Sequence, residues 1–239
     1  MQPDIWINGS FVPWDEAAVH PLCHSLQRGS TVFESIDCNE TDGGRAAIFR
    51  LREHMLRMEN SALVVGMPMP YSVDELMDAT VQTVARSGLK RCTIRPLAFY
   101  ADVVFPIYPG DIPLTVVIGI GPSNTPPESY RVTVAGMRKI DDRSMPLKAK
   151  VSGNYIGPMM AKRDAVRTGF DDAVILDSDG FVAEGTTSNI FIVENGSLIA
   201  TAEETILPGI TRDSISSIAR HLGVTVTGGK FTESGRAHV

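Results

Sequence analysis

Three short segments of this chain carry residue types at spacings that suit chemistry. In Lys148-Ala149-Lys150-Val151-Ser152-Gly153-Asn154-Tyr155, two lysines stand two apart in an apolar, small-residue context just ahead of a helix signal. The chain has only six lysines against 16 arginines, so a close pair of amines is worth inspecting. An amine drawn partly out of water holds its proton less tightly and suits Schiff-base chemistry. The competing explanation is a solvated basic edge, because lysines are mostly exposed. At strand period the two lysines share a face, and pattern alone does not separate them. The second segment, Phe181-Val182-Ala183-Glu184-Gly185-Thr186-Thr187-Ser188-Asn189-Ile190-Phe191, sets a carboxylate between apolar strand residues, beside a glycine and three hydroxyls. That is an odd composition for a simple turn. The third, Leu207-Pro208-Gly209-Ile210-Thr211-Arg212, places a glycine and a hydroxyl N-cap at Thr211 ahead of a helix. Backbone N–H groups and a positive helix end then meet at one point, a natural phosphate seat. An ordinary capped helix accounts for the same residues.

Other patterns carry less. Gly119-Ile120-Gly121 lacks the third glycine of a dinucleotide loop and runs into prolines where a helix should begin. His20 and His24 have Pro21 between them and no acidic partner to complete a ligand set, so no metal site is expected. There is no G-x-S-x-G elbow for a hydrolase. Cys23, Cys38 and Cys92 are widely spaced, which argues against a disulfide framework or structural zinc. The net charge of −6 argues against a protein that wraps nucleic acid. The longest apolar run, 114–120, is too short to span a bilayer, and the N-terminus has neither a basic start nor an apolar signal core. A cytoplasmic location with no membrane partner is the expectation.

The elements that must position these segments follow from periodicity. Ile5-Trp6-Ile7, Asn8-Gly9 and Phe11-Val12 spell a hairpin. Leu51, Met55, Met58 and Ala62 mark one face of a helix over 50–64, and Ser72 with Glu75 boxes the start of a second helix that Gly88 stops. Residues 92–100 and 112–120 read as buried strands. The proline-rich stretch 121–129 is the best linker, dividing an N-terminal α+β domain (1–120) from a C-terminal one (130–239). The second half restarts with a strand over 130–135 and a helix over 155–168. A strand over 173–176, a hairpin at Asn195-Gly196 and a last helix over 212–222 follow. The mixture is α+β, not a regular βαβ array.

Taken together, K-x-x-G-N-Y, E-G-x-x-x-N-I-F and L-P-G-I-T-R in this order resemble the class IV aminotransferases, the fold-type IV enzymes of pyridoxal 5'-phosphate (PLP). The branched-chain aminotransferases are closest in pattern. The resemblance extends through Trp6-Ile7-Asn8-Gly9, Phe33-Glu34, Phe49-Arg50 with Glu53-His54 and Arg57, and Ile94-Arg95-Pro96, covering nearly the whole chain. It implies two α+β domains with the cofactor in the cleft between them, the C-terminal one (130–239) barrel-like and cofactor-binding. It also implies a homodimer and small-molecule amino-acid and keto-acid substrates. Carried over by position, Lys150 resembles the Schiff-base lysine. Arg50 and the amides of Ile210 and Thr211 resemble the phosphate clamp, Glu184 the partner of the pyridine nitrogen, and Tyr155 that of the ring hydroxyl. Asn189 and Leu207 fall in the cofactor-binding motifs, and Phe33, Arg95 and Arg28 in the substrate-pocket region. A buried Arg95 would bind a substrate carboxylate bidentately.

The chain departs from the branched-chain pattern at Arg28-Gly29, where Tyr-Gly is usual, at Ser35 and Asp37, where Gly and Arg are usual, and at Thr93, where Tyr is usual. The family continues well beyond the strand near Val224 to Val226, so the resemblance implies a C-terminal domain that is incomplete here. The activity it implies is transamination of an α-amino acid, branched-chain in the first instance, to 2-oxoglutarate. The alternatives are an aminodeoxychorismate lyase, a D-amino-acid or (R)-amine transaminase, or a silent PLP-binding protein.

Overall fold

The computed structural model describes residues 3–123 and 126–234. Asn124 and Thr125 of the expected linker, with residues 1–2 and 235–239 at the ends of the expected domains, lie outside them. The chain forms two compact units. One is Met1–Thr125 with Ala149–Gly153, the other Pro126–Lys148 with Asn154–Val239.

The first unit contains β1 (Ile5–Ile7), β2 (Ser10–Val12), α1 (His24–Arg28), β3 (Val32–Phe33), β4 (Ile36–Glu40) and β5 (Ala46–Ile48). After these come α2 (Leu51–Val64), α3 (Val73–Ser87), β6 (Cys92–Phe99) and β7 (Thr115–Gly121). The strands make one sheet in the order β2-β1-β7-β6-β4-β5, with β3 also on β6. The expected hairpin is present: Asn8 and Gly9 both adopt positive φ, as a two-residue turn of this type requires. Ser72 and Glu75 form the full capping box of α3. Along β7, Val116, Ile118 and Ile120 point inward, meeting Met55 and Met58 of α2 and Leu76 of α3 in one core. Cys38 and Cys92 face each other across β4 and β6, where burial and the neighbouring thiol push Cys92 up to about 12.

A proline in a central strand would normally break a ladder. Pro96 is tolerated because β6 changes partner at this point, pairing with β4 up to Ile94 and with β3 from Leu97. Its carbonyl still accepts from Glu34 N–H at 2.9 Å. Glu34 therefore sits at the break between β3 and β4 and turns its side chain toward α2. There it is fully buried and accepts from Arg57 Nε and Nη2, both at 2.7 Å, with His54 Nδ1 at 2.8 Å.

Five residues of the second half, Ala149–Gly153, pack in the first unit because they extend its sheet beside β3. Phe33 N–H donates to the Lys150 carbonyl at 3.1 Å, Ser152 N–H to Thr31 at 2.8 Å, and Gly153 N–H to Gly29 at 2.9 Å. A Cβ on Gly153 would stand 3.1 Å from the Gly29 carbonyl oxygen, so glycine suits this approach.

The second unit holds β8 (Val132–Arg138), α4 (Ile156–Arg167), β9 (Asp172–Leu176), β10 (Val182–Gly185), β11 (Phe191–Glu194), β12 (Ser197–Thr201), α5 (Ile210–His221) and β13 (Val226–Gly229). Its two sheets run β10-β9-β8 and β11-β12-β13. The strand expected over 130–135 begins later and runs further, to Arg138. The last helix starts at Ile210, not Arg212, and its N-cap is Gly209 rather than Thr211. The hydroxyl lost the position because proline then glycine ends the preceding extended segment, and the helix begins directly after the glycine.

Burial drives the Glu34 carboxyl up, but its bonds and charges from Arg57 and His54 outweigh this and hold it below the usual carboxylate range. A depressed carboxyl stabilises the fold at pH above the unfolded value, and that contribution is lost as pH falls through the folded value. Glu34→Gln is expected to lower stability at neutral pH by about 3 kcal/mol, because Arg57 loses its buried counter-charge. It should also flatten the acid limb of a urea-denaturation series at pH below the usual carboxylate range. An unchanged acid limb would show that Glu34 is not the group responsible.

Candidate active site

The structure separates the two lysines that the sequence leaves together. Lys148 is exposed, whereas Lys150 is 9% exposed and its Nζ stands 4.6 Å from the centre of the Phe33 ring. The backbone on both sides of that amine is pinned, the carbonyl by Phe33 N–H and the N–H by Ser61 Oγ at 3.0 Å. Arg95 shares the Phe33 ring, its guanidinium carbon 5.7 Å from the centroid. Phe33, Lys150 and Arg95 thus come together in the first unit. Arg95 is not buried as expected: β6 alternates, with Cys92, Ile94, Pro96 and Ala98 inward, which turns Arg95 outward. Arg28 stands apart from this set. It ends α1, exposed, and donates from Nη2 to the Phe105 carbonyl at 2.7 Å.

Arg50 precedes α2 with φ 46° and ψ 47°, a left-handed backbone on a non-glycine residue. Such a conformation costs of order 1–2 kcal/mol and persists where surrounding structure requires it. Its Nε donates to Glu53 Oε1 at 2.8 Å.

In the second unit Tyr155 is the half-buried N-cap of α4. Glu184 lies in β10, largely buried, and its Oε1 pairs with Lys139 Nζ. Lys139 follows β8 and donates its N–H to the Leu176 carbonyl at 2.8 Å. It was missed by sequence reasoning, although its scarcity as a residue type was a usable signal. Asn189 packs directly on the start of α5, since a Cβ added to Gly209 would stand 2.3 Å from its Oδ1. A Cβ on Gly185 would likewise stand 2.2 Å from Ser188 Oγ, so both motif glycines are there for close approach. Leu207 is half-buried, Ile210 buried and Thr211 exposed in the first turn of α5, whose N-cap has no side-chain acceptor. No group of acidic, histidine or cysteine side chains among the described residues could hold a metal ion. No helix among them is long and apolar enough to cross a membrane.

Residues 31–235 match the family model described as amino-transferase class IV. The chain belongs to that family: it is an α+β, fold-type IV aminotransferase, an enzyme whose cofactor is PLP and whose substrates are amino and keto acids. Within the family it is similar to the branched-chain-amino-acid aminotransferase of Escherichia coli, 34% identical over 93% of this chain and 74% of that one. It is also similar to the solved branched-chain aminotransferase of Thermoproteus uzoniensis with norvaline, with a TM-score of 0.94 and 35% identity over 98% of this chain and 80% of that one. A third solved enzyme, the T.th. branched-chain amino acid aminotransferase complexed with N-(5'-phosphopyridoxyl)-L-glutamate, gives a TM-score of 0.92 and 38% identity over 98% of this chain and 78% of that one.

The side chains present fit PLP by their chemistry. A buried amine suits an aldehyde, a sequestered carboxylate a pyridinium N–H, and an arginine with a helix start that opens on glycine a phosphate. Gly209→Ala is expected to push Asn189 off the helix start and weaken PLP binding to the apoprotein about tenfold, or about 1.4 kcal/mol. Far-ultraviolet circular dichroism should be unchanged. A wild-type dissociation constant would place the phosphate elsewhere.

Proposed function

We propose that this enzyme transfers the amino group of a branched-chain amino acid to 2-oxoglutarate. The observation that carries the reading is the sequestered amine at Lys150, beside an aromatic wall, in a chain similar along its length to branched-chain aminotransferases. The T.th. relative was solved with a phosphopyridoxyl derivative of glutamate, the aminated form of 2-oxoglutarate, and also with 4-methylvaleric acid. One relative's site thus accepts both a dicarboxylate and a branched apolar chain.

PLP, when bound, supplies an aldehyde carbon and a ring that accepts electrons from the substrate α-carbon. Lys150 Nζ carries the α-proton, taking it when unprotonated and returning it when protonated. Phe33 keeps one side of that amine free of water. Glu184 would accept from the ring N–H while keeping its Lys139 partner. Tyr155 would donate to the ring hydroxyl. Arg50, and the amides of Ile210 and Thr211 with Asn189 and Leu207 shaping the start of α5, would be the groups that hold the phosphate. Arg95, exposed beside Phe33, meets the second carboxylate of the acceptor. Arg28 borders the substrate through its hold on the 101–114 loop.

The departures at Arg28, Ser35, Asp37 and Thr93 fall in the substrate-pocket region and leave a second reading open, a D-amino-acid or (R)-amine transaminase or an aminodeoxychorismate lyase on the same cofactor machinery. A panel of L- and D-amino donors against 2-oxoglutarate and pyruvate decides between them. The expected result is turnover of L-leucine, L-valine and L-isoleucine with 2-oxoglutarate. Arg95→Met should then raise KM for 2-oxoglutarate at least tenfold and for pyruvate much less. Turnover of D-donors only, or pyruvate release from aminodeoxychorismate, would overturn the branched-chain reading. No turnover of any amine despite bound PLP would mark a silent binding protein.

The enzyme is further proposed to be a homodimer. Leu26, Phe105, Ile107 and Tyr108 are exposed apolar side chains on α1 and on the loop that Arg28 and His24 tie down by its carbonyls. A grouped apolar surface of this kind suits a partner. Sedimentation should give a dimer at micromolar concentration, and Phe105→Glu a monomer. A monomeric, fully active wild type would contradict the proposal.

A further inference from the structure

Lys150 is held by its backbone at two points, and the two points are not independent. Its N–H donates to Ser61 Oγ at 3.0 Å, and its carbonyl accepts from Phe33 N–H at 3.1 Å. Ser61 belongs to α2, is fully buried, and donates its own hydroxyl proton to the Arg57 carbonyl one turn earlier at 2.7 Å. That bond back along the helix is common for a helical serine. It does not account for the acceptance of an N–H from a residue 89 positions further along the chain. With its proton committed to Arg57, the hydroxyl presents its lone pairs to Lys150, so the acceptor has a set direction.

Arg57 then closes the circuit. Its side chain forks both oxygens of Glu34, and Glu34 is the residue next to Phe33. Contacts run from the Lys150 carbonyl to Phe33, through Glu34 to Arg57, along one turn of α2 to Ser61, and back to Lys150 N–H. A shift between the β3–β4 break and α2 would move both anchors of Lys150, together with the Phe33 ring that walls its amine.

We propose that Ser61, braced by the Glu34–Arg57 pair, is a positioning residue that fixes where the Lys150 amine stands against Phe33. Ser61 does not touch the reacting atoms. It acts through the backbone of a residue whose four-carbon stem would otherwise let the amine range widely, and catalytic groups lose orders of magnitude when misplaced by about 1 Å. The inference rests on the reading of Lys150 as the reacting amine.

The test uses the full chain, reconstituted with PLP, in three variants. Ser61→Ala removes the acceptor, Ser61→Thr keeps it, and Arg57→Lys keeps the charge but not the fork. Four quantities are read: the rate at which the visible absorbance of the lysine-bound cofactor develops on mixing apoprotein with PLP, the visible circular dichroism of the product, and kcat and KM for the amino donor. Ser61→Ala is expected to slow the linkage and lower kcat at least tenfold, leave KM within twofold and weaken the visible dichroism. Ser61→Thr should restore all of these, and Arg57→Lys should move them the same way by less. A purely structural serine would lower the melting temperature and leave linkage rate and dichroism at wild-type values, and that result in Ser61→Ala overturns the proposal. If Ser61→Ala does not accumulate as folded protein, Ser61→Cys, close in size and a poor acceptor, carries the same expectation and the same refutation. Borohydride reduction and peptide mapping of the wild type keep the two readings apart. A label on Lys148 overturns the assignment of Lys150 and this inference with it, whereas a label on Lys150 with unaffected variants overturns this inference alone.

Discussion

A carboxylate with no access to water must be met by cations or be expelled, and the first unit is arranged around meeting the one at Glu34. Its position is forced from the strand side, because Pro96 has no N–H to offer and the sheet changes partner there, leaving Glu34 between β3 and β4. The answering groups come from α2, where His54 lies on the same buried face as Leu51, Met55, Met58 and Ala62 and Arg57 reaches Glu34 from beside it. Breaking such a buried pair from one side costs about 3–5 kcal/mol, a large share of a domain's net stability. Well-packed apolar residues at all of these positions would serve stability equally well, so what the ion pair adds is a defined register between strand and helix.

The second unit uses a different device. Its motif segments rest on close backbone approach rather than on buried charge. Gly185 admits Ser188, whose carbonyl accepts the Gly185 N–H at 2.8 Å, and Gly209 admits Asn189 against the start of α5. The side chains of Ser188 and Asn189 thereby pack directly on the backbone of the turn after Glu184 and of the helix start. The ion pair of Glu184 with Lys139 is the exception, a largely buried carboxylate that again has its own cation.

Much of this was legible in the sequence. The hairpin at Asn8-Gly9, the capping box at Ser72 and the face of α2 follow from local rules, in which a residue type and its spacing carry the signal, whereas the three motif segments were legible only together, as a resemblance. What was not legible depended on alternation and long-range pairing. Arg95 was expected inside, but one position of β6 in two faces outward, and nothing local says which face a buried strand assigns to an arginine. Lys148 and Lys150 shared a face on paper and parted only because the chain enters the sheet of the first unit at Ala149. The N-cap of α5 moved from Thr211 to Gly209 because the hydroxyl rule and the glycine competed, and the backbone chose the glycine. Ser61 gave no signal at all, since a small polar residue on a helix face reads as tolerated until its distant partner is known.

The placement of α2 would link the two kinds of chemistry proposed for the first unit, at Arg50 and at Lys150. Arg50 stands at its N-terminus in a left-handed backbone, and Ser61 accepts from Lys150 eleven residues later, about 16 Å along the axis at 1.5 Å per residue. A helix of this length is stiff on the scale of the adjustments a cofactor demands, so the separation between the guanidinium stem of Arg50 and the backbone of Lys150 is set by the helix and not by flexible loops. The strain at Arg50 makes sense on the same terms. If the helix start could relax, Arg50 would be free to rotate away without disturbing anything else. Because Leu51, Met55 and Met58 lock α2 into the core and Glu34 locks its middle through Arg57, the cost of a strained φ at Arg50 falls on a structure that cannot shift to relieve it.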